Sequence, residues 1–305
     1  MARIVVTGGA GFIGSHLVDE LVRTGEEVLV LDNLRRGRWL NLTHQTGVQC
    51  VTGDIRDIGL LRALLAGADT VYHLAAQSNV LGALEDPDYS FTTNVAGTVN
   101  VFRAALEAQV GRVVFSSSRE VYGDVEAVPV AEEAPLRPKN LYGASKAAGE
   151  MYARVYRAQG LDIRVLRLAN VYGPRDTDRV IPRFIARALR GEPMTIYGGD
   201  QVLDFIWVGH VVRALVRAAH LPALAEPVNV GSGQGTTVRD LAERIRGEVS
   251  PNAPVELLPP RTFEVGRFIA DVRRGRELLD LPAIADPLDH LGEVVAWLRG
   301  GGDSS

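Results

Sequence analysis

The sequence predicts an α/β protein in which a doubly wound parallel sheet is followed by a smaller α/β lobe. Three observations carry this reading. Six short runs are almost continuously apolar, segments with helical apolar spacing alternate with them, and the texture changes near residue 170. Continuous apolarity, rather than in–out alternation, is what a strand needs when helices cover both faces of its sheet.

Along the chain the candidate strands are RIVVTG (3–8), EVLVLD (27–32), VQCVTGD (48–54), TVYHLA (70–75), RVVFSSS (112–118) and DIRVLRL (162–168). Between them, FIGSHLVDELVRTG (12–25), IGLLRALLAG (58–67) and NVAGTVNVFRAALEAQ (94–109) place apolar residues three and four apart, the helical period. From Pro174 to Pro260 prolines cluster and the elements shorten. Residues 1–169 are therefore assigned to the sheet domain. Residues 170–305 form the smaller lobe, from which segments can return to the sheet.

Bulk properties narrow the function. Hydrophobic residues make up 46% and charged residues 23%, with a net charge of −4, so nothing directs the chain to nucleic acid or an anionic membrane. The short basic run LRRGR (34–38) reads as a solvated loop. Cys50 is the single cysteine, which excludes an internal disulfide, and no metal site is predicted. No signal-peptide pattern opens the sequence, and no apolar stretch has membrane-spanning length. A cytoplasmic enzyme is expected, with GGGDSS (300–305) frayed.

TGGAGFIG (7–14) lies directly between the first strand and the first helix. Gly9, Gly11 and Gly14 satisfy G-x-G-x-x-G, and Gly8 adds the longer spacing. Absent side chains let backbone approach a pyrophosphate, and the helix N-terminus supplies amides and partial positive charge. Predicted contacts here are Gly8, Gly11, Phe12, Ile13 and Gly14, with Asp32 and Asn33 at the end of the second strand. Asp32 would accept from the adenosine ribose and repel a 2′-phosphate, which selects NAD over NADP. Arg35 and Arg36 follow closely and keep NADP as the alternative. Asp54 and Ile55 in GDIRD (53–57) are expected to cover the adenine. Leu74, Ala75 and Ala76 in HLAA (73–76) form a backbone-lined cofactor wall, a better reading than a catalytic His73.

YGASK (142–146) begins a predicted helix and puts Tyr142 and Lys146 on one face. A phenol with a pKa near ~10 is a poor base at neutral pH. A neighbouring ammonium and a nicotinamide cation both favour phenolate. A shift of roughly three units requires about 4 kcal/mol.

TGGAGFIG, LDNL, GDIRD, HLAAQ, NVAGT, SSSREVYGD, YGASK and NVYGP follow one another across residues 7–174. In this set and order the chain resembles the extended short-chain dehydrogenase/reductases, specifically the nucleotide-sugar epimerase and dehydratase family. The resemblance implies a Rossmann sheet and bound NAD. It also implies Tyr142 as general base, Lys146 as its electrostatic partner and ribose ligand, and Ser118 as the hydroxyl sharing the proton of the substrate's C4 oxygen. It further implies cofactor contacts from Asn94 and Ser116, and substrate contacts from Ser117, Ser118, Arg119, Asn170, Val180 and Arg261. Helices near 92–108 and 143–159 resemble those that pair family members into homodimers. The chain departs from the family at Leu203-Asp204, where an Arg-Asp pair is usual, so one phosphate contact is missing. It departs again at His210, where an acid is usual.

SSSREVYGD (116–124) bears on the reaction. Family dehydratases use an acid and base pair after the serine or threonine, usually Asp-Glu. Decarboxylases keep the Glu, and epimerases need neither. Glu120 matches the base, but Arg119 stands in the acid's place and stays protonated. Glu120 is either a base or Arg119's structural partner, and Arg119 either meets a C6 carboxylate or packs. The reading favoured is NAD-dependent 4-epimerisation of a UDP-hexose or UDP-hexuronate. A 4,6-dehydratase or decarboxylase using Glu120 is the alternative, and a non-catalytic dinucleotide sensor is a third class.

Overall fold

A computed structural model describes residues 2–302; of the expected frayed tail, 303–305 lie outside the described residues. The elements run β1 (Arg3–Thr7), α1 (Phe12–Arg23), β2 (Glu27–Asp32), β3 (Gln49–Thr52), α2 (Ile58–Leu65), β4 (Thr70–His73), α3 (Val80–Glu85), α4 (Pro87–Phe91), a π-helical turn (Thr92–Gly97) and α5 (Thr98–Glu107). Then come β5 (Arg112–Ser118), α6 (Leu141–Ala158), β6 (Ile163–Leu168), β7 (Asn170–Tyr172), α7 (Val180–Arg190), β8 (Met194–Tyr197), β9 (Val202–Leu203) and β10 (Phe205–Trp207). The chain continues through α8 (Val208–His220), β11 (Val228–Val230), β12 (Thr236–Thr237), α9 (Val238–Val249), β13 (Val255–Leu258), α10 (Arg273–Leu279) and α11 (Leu291–Arg299).

Seven parallel strands form the sheet in the order β3-β2-β1-β4-β5-β6-β11. Each of the six predicted runs holds a strand. The seventh, β11, returns from beyond residue 170 to extend the sheet on β6. Alternate residues feed two cores, as strand geometry requires. Ile4, Val6, Val28, Val30, Val114 and Leu166 pack with α1 and α8 on one face. Val5, Leu29, Leu31, Val71, Val113 and Val165 pack with α2 and α5 on the other. In α1, Leu17, Val18 and Leu21 form the buried stripe, each contributing about 1.5–3 kcal/mol on burial.

A third core joins Tyr172, Ile181, Phe184, Ile185, Met194 and Phe205 to Leu241, Ile245, Leu291 and Val294. It holds α7, α9 and α11 around the parallel pair β13–β8. The sheet order reverses at β1, with β2 on one side and β4 on the other, which opens a crevice at the strands' carboxyl ends.

Among the described residues, no helix is long and apolar enough to cross a membrane.

Candidate active site

The crevice is a cavity of about 490 Å³, within the range of small-molecule sites. Its sheet wall is built from the residues just past β1, β2, β3, β4, β5 and β6. Gly8, Gly11, Phe12, Ile13 and Gly14 all line it. Gly8 has φ +76, and a Cβ there would sit 2.6 Å from the Ala75 nitrogen. A Cβ on Gly14 would lie 2.2 Å from the Gly8 carbonyl oxygen. The turn therefore closes tightly, and α1 begins at Gly11 with no side chain to cap its amides and no acid in its first turn. Such a terminus suits a pyrophosphate.

Asp32 ends β2 at the cavity wall and accepts from the amides of Ala10 (3.0 Å) and Leu34 (2.9 Å). Burial pushes its carboxyl up, against those two amides. Arg35 lies 3.7 Å over the Tyr89 ring and pairs with Asp86, while Arg36 pairs with Asp178 and donates to Ser78. Both guanidiniums are thus paired with acids, and Asp32 stands at the cavity wall at the end of β2. These residues fit NAD. Asn33, Ile55, Leu74, Ala75, Ala76 and Ser116 also line the cavity. Asp54 and Asn94 stand beside the lining rather than in it, with Gly53 and Ile55 on either side of Asp54 lining the cavity. Asp54 binds Asn33 and Arg56, holding the wall from behind. Asn94 accepts from the Gln77 amide at 2.7 Å and donates to the Gln77 carbonyl and to Ser145, tying the loop after β4 to α6.

Helix α6 comes close to β5 because small residues face it. A Cβ on Gly143 would meet the Glu120 carbonyl oxygen at 2.4 Å, and one on Gly149 would meet the Phe115 ring at 2.8 Å. Asn140 caps the helix by accepting from the Gly143 amide at 2.8 Å. Tyr142, Lys146 and Ser118 are thereby brought to one stretch of cavity wall. Lys146 is buried and donates to the Ser116 carbonyl at 2.8 Å. Burial pushes its ammonium down to about 7, opposed by the charge of Glu150. Burial also pushes the Tyr142 phenol up. Arg179 is the strongest influence pulling it down, followed by a hydrogen bond with Ser118, while Glu120 pushes it further up. The Lys146 ammonium is held by a backbone carbonyl, and Arg179, from across the cleft, is the largest charge that favours the phenolate.

Strand alternation separates the three serines. Ser116 donates to the His73 carbonyl at 3.2 Å, and Ser118 accepts from the Glu120 amide at 3.2 Å. The Ser117 hydroxyl turns the other way and donates to Glu150 at 2.5 Å, although the residue itself still lines the cavity. Arg119 and Glu120 both line the cavity and form an ion pair of 2.7 Å.

A family model for NAD-dependent epimerases and dehydratases matches residues 4–231. The chain belongs to the NAD-dependent epimerase/dehydratase family. It is 39% identical over 309 residues to a UDP-glucose 4-epimerase of Mycolicibacterium smegmatis, covering 97% of this chain and 98% of that one. It is 35% identical over 311 residues to UDP-glucuronic acid decarboxylase 1 of Arabidopsis thaliana, covering 97% of this chain and 70% of that one. The crystal structure of a UDP-glucose 4-epimerase from Thermotoga maritima with UDP-glucose superposes with a TM-score of 0.93 at 34% identity, covering 98% and 99% of the two chains. The chain is thus an NAD-dependent enzyme within a family of nucleotide-sugar epimerases, dehydratases and decarboxylases.

The family's second wall comes from beyond residue 170. Asn170, Val180 and Arg261 line the cavity. Asn170 donates to the Asp204 carbonyl (3.1 Å), and Arg261 lies 3.6 Å over the Tyr197 ring. Leu203 lines the cavity too, an apolar residue where the family usually has arginine, while Arg183 and Arg187 of α7 reach the same cavity. Asp204 is fully buried and accepts from the amides of Ser232, Gly233 and Ala270, which makes it a structural hub. His210 packs edge-on against His290, which stacks on Trp207; it does not line the cavity.

Sequence reading missed the segment 175–179. Asp178 accepts from Asn79 (2.8 Å) and pairs with Arg36, and Arg179 sits 5.4 Å over the Phe12 ring. The alternating charges of PRDTDR, directly after NVYGP, were the signal available.

His73 is buried behind the wall, held between the Thr7 hydroxyl (2.8 Å) and the Thr98 hydroxyl (3.0 Å) and stacked on Phe115. Burial pushes it down to about 3, with Lys146 adding to the effect. A histidine titrating lower in the folded chain leaves the unfolded chain holding the extra proton between about pH 6.5 and pH 3. Stability from this site is therefore full above about pH 6.5 and falls by up to about 1.4 kcal/mol per unit as pH drops through the window. Urea unfolding of His73→Gln should show a lower midpoint than wild type at pH 7 and a flatter decline towards pH 4. An equally steep decline in the variant would remove His73 as the cause.

Proposed function

We propose that the enzyme interconverts the C4 epimers of a UDP-linked hexose or hexuronate through a transient 4-keto sugar. The observation that carries this reading is the state of Glu120. One of its oxygens forms an ion pair with Arg119 and the other accepts from Asn140, each at 2.7 Å, so the residue that would drive elimination or decarboxylation is engaged on both sides. The epimerases of M. smegmatis and T. maritima, similar over nearly the whole chain, support the same choice.

Tyr142 takes the proton of the 4-hydroxyl, and Ser118 holds the same oxygen. When bound, NAD supplies the hydride acceptor for C4, returns the hydride, and puts a cation beside the phenol. Lys146 holds the cofactor's ribose and adds positive charge. Asn170, Val180 and Arg261 hold the nucleotide end, with Arg183 and Arg187 supplying charge that Leu203 does not. The 4-keto sugar turns about this tether before Tyr142 returns the proton.

Purified holoenzyme given UDP-glucose, UDP-galactose, UDP-glucuronate or UDP-galacturonate, with no added cofactor, should convert one pair to a mixture of its C4 epimers by NMR. A stable 4-keto product or carbon dioxide would instead establish the second reading, a dehydratase or decarboxylase. That reading is supported by Glu120 lining the cavity and by the similarity to the Arabidopsis decarboxylase.

The enzyme is further proposed to be a homodimer. Met151, Tyr152 and Val155 on α6 and Phe91 at the end of α4 are exposed apolar residues on neighbouring helices, suited to pairing with a second copy. Light scattering at twice the chain mass supports this, and a monomer mass overturns it.

A further inference from the structure

We propose that Arg119 determines the outcome of the reaction by restraining Glu120, so that this carboxylate cannot remove the C5 proton of the 4-keto sugar. The proposal rests on the epimerase reading above and explains how an epimerase tolerates a base in its active-site wall.

A ketone at C4 acidifies the neighbouring C5–H bond. Glu120 stands next to Ser118, the hydroxyl assigned to the C4 oxygen, and its amide donates to that hydroxyl. A free carboxylate here could take the C5 proton. The C5–H electrons would then form the C4–C5 enolate, with the negative charge on the C4 oxygen. From the enolate the sugar either expels a group from C6 or regains a proton at C5 on either face. Expulsion from C6 and return on the opposite face divert the intermediate, whereas return on the original face restores the ketone with a solvent-derived hydrogen at C5.

The geometry opposes that step. One oxygen of Glu120 forms an ion pair with Arg119 Nη2 and the other accepts from Asn140 Nδ2, each at 2.7 Å. Asn140 is itself fixed as the cap of α6, the helix that carries Tyr142, so the carboxylate is held relative to the general base. The pair is buried, with the two side chains only 11% and 8% exposed. Among the described residues Arg119 Nη1 has no hydrogen-bond partner. The guanidinium is therefore held by Glu120 and by the Phe268 ring, 5.8 Å away. Arginine also keeps its proton, so it cannot serve as the acid that a departing C6 hydroxyl needs.

The test is solvent labelling. Holoenzyme is run in D2O on the nucleotide-sugar pair that it epimerises, and deuterium at C5 is read by NMR and mass spectrometry. Wild type should return both epimers with hydrogen at C5. Arg119→Ala should still oxidise C4 but place deuterium at C5 at least tenfold faster than wild type, because the proton taken by Glu120 exchanges with solvent before it is returned. Arg119→Ala combined with Glu120→Gln should lose the label again. If Arg119→Ala does not fold, Arg119→Lys replaces it, since a point charge restrains the carboxylate less than the fork does, and should label at an intermediate rate. Wild type that already labels C5 overturns the proposal. So does a folded variant that epimerises without label, a label that survives the second substitution, or a folded Arg119→Ala that shows neither NADH absorbance nor product. If wild type instead releases carbon dioxide or a stable ketone, the epimerase reading itself has failed, an outcome distinct from any of these.

Discussion

Tyr142→Phe should lower kcat by about a thousandfold, in the upper part of the range for a positioned acid–base group, while the nucleotide sugar still binds. The substitution deletes one oxygen and leaves the ring in the cavity wall. In the proposed reaction, what is lost is the group that accepts the C4 proton and gives it back. The surroundings show how this phenol is handled. Burial pushes it up, whereas Arg179 and the hydrogen bond with Ser118 pull it down. Arg179→Met should therefore depress turnover at neutral pH and move the acid limb of the rate profile to higher pH, since the phenolate loses its strongest stabilising charge. Tyr142→Phe has no such limb to move. Single-turnover measurement of bound NADH after mixing with substrate isolates the oxidation step. A Phe variant within tenfold of wild type would remove Tyr142 from the role of general base.

The sheet and cofactor loop were legible because their chemistry is contiguous. Six of the seven sheet strands announced themselves by nearly unbroken apolar runs, and TGGAGFIG carries turn, backbone approach and helix start in eight successive residues. Tyr142 and Lys146 were legible for the same reason, one helical turn apart. What was not legible depends on contacts between distant segments. The side-chain amide of Asn94 donates to Gln77 and Ser145, seventeen and fifty-one positions away. Arg179 reaches Tyr142 only because α7 starts across the cleft. The hydroxyl of Ser117 finds Glu150 because the two-residue period of β5 turns it away from Ser116 and Ser118.

Where Ser117 points leads to the largest stability effect expected in this molecule. Glu150→Ala should destabilise the fold by about 3–5 kcal/mol, the cost of leaving a buried charge without its partner. Glu150 and Arg167 have side chains only 3% and 5% exposed and form three contacts, Nη2 to Oε2 at 2.7 Å and Nε to Oε1 at 3.0 Å and to Oε2 at 3.2 Å. Arg167 also donates to the Tyr122 hydroxyl and the Glu132 carbonyl, both at 2.8 Å. Tyr122 in turn donates to Asn229 at 2.7 Å, and Glu132 accepts from the Asn229 amide at 2.9 Å. One buried polar network thus fastens α6 to β5, β6 and β11, behind the wall that carries Ser118. Burial acts to lower the Arg167 guanidinium, yet hydrogen bonds and charge from Glu150 outweigh it and hold it above its ordinary value. Removing the carboxylate strands that cation, whereas removing both members does not. Glu150→Met with Arg167→Met should recover most of the loss, giving a strongly non-additive cycle in chemical denaturation. Additive losses would mean that the two side chains act independently. The same carboxylate opposes the burial that drives Lys146 down to about 7, so Glu150→Gln should also weaken catalysis first at the alkaline end, where Lys146 gives up its proton sooner.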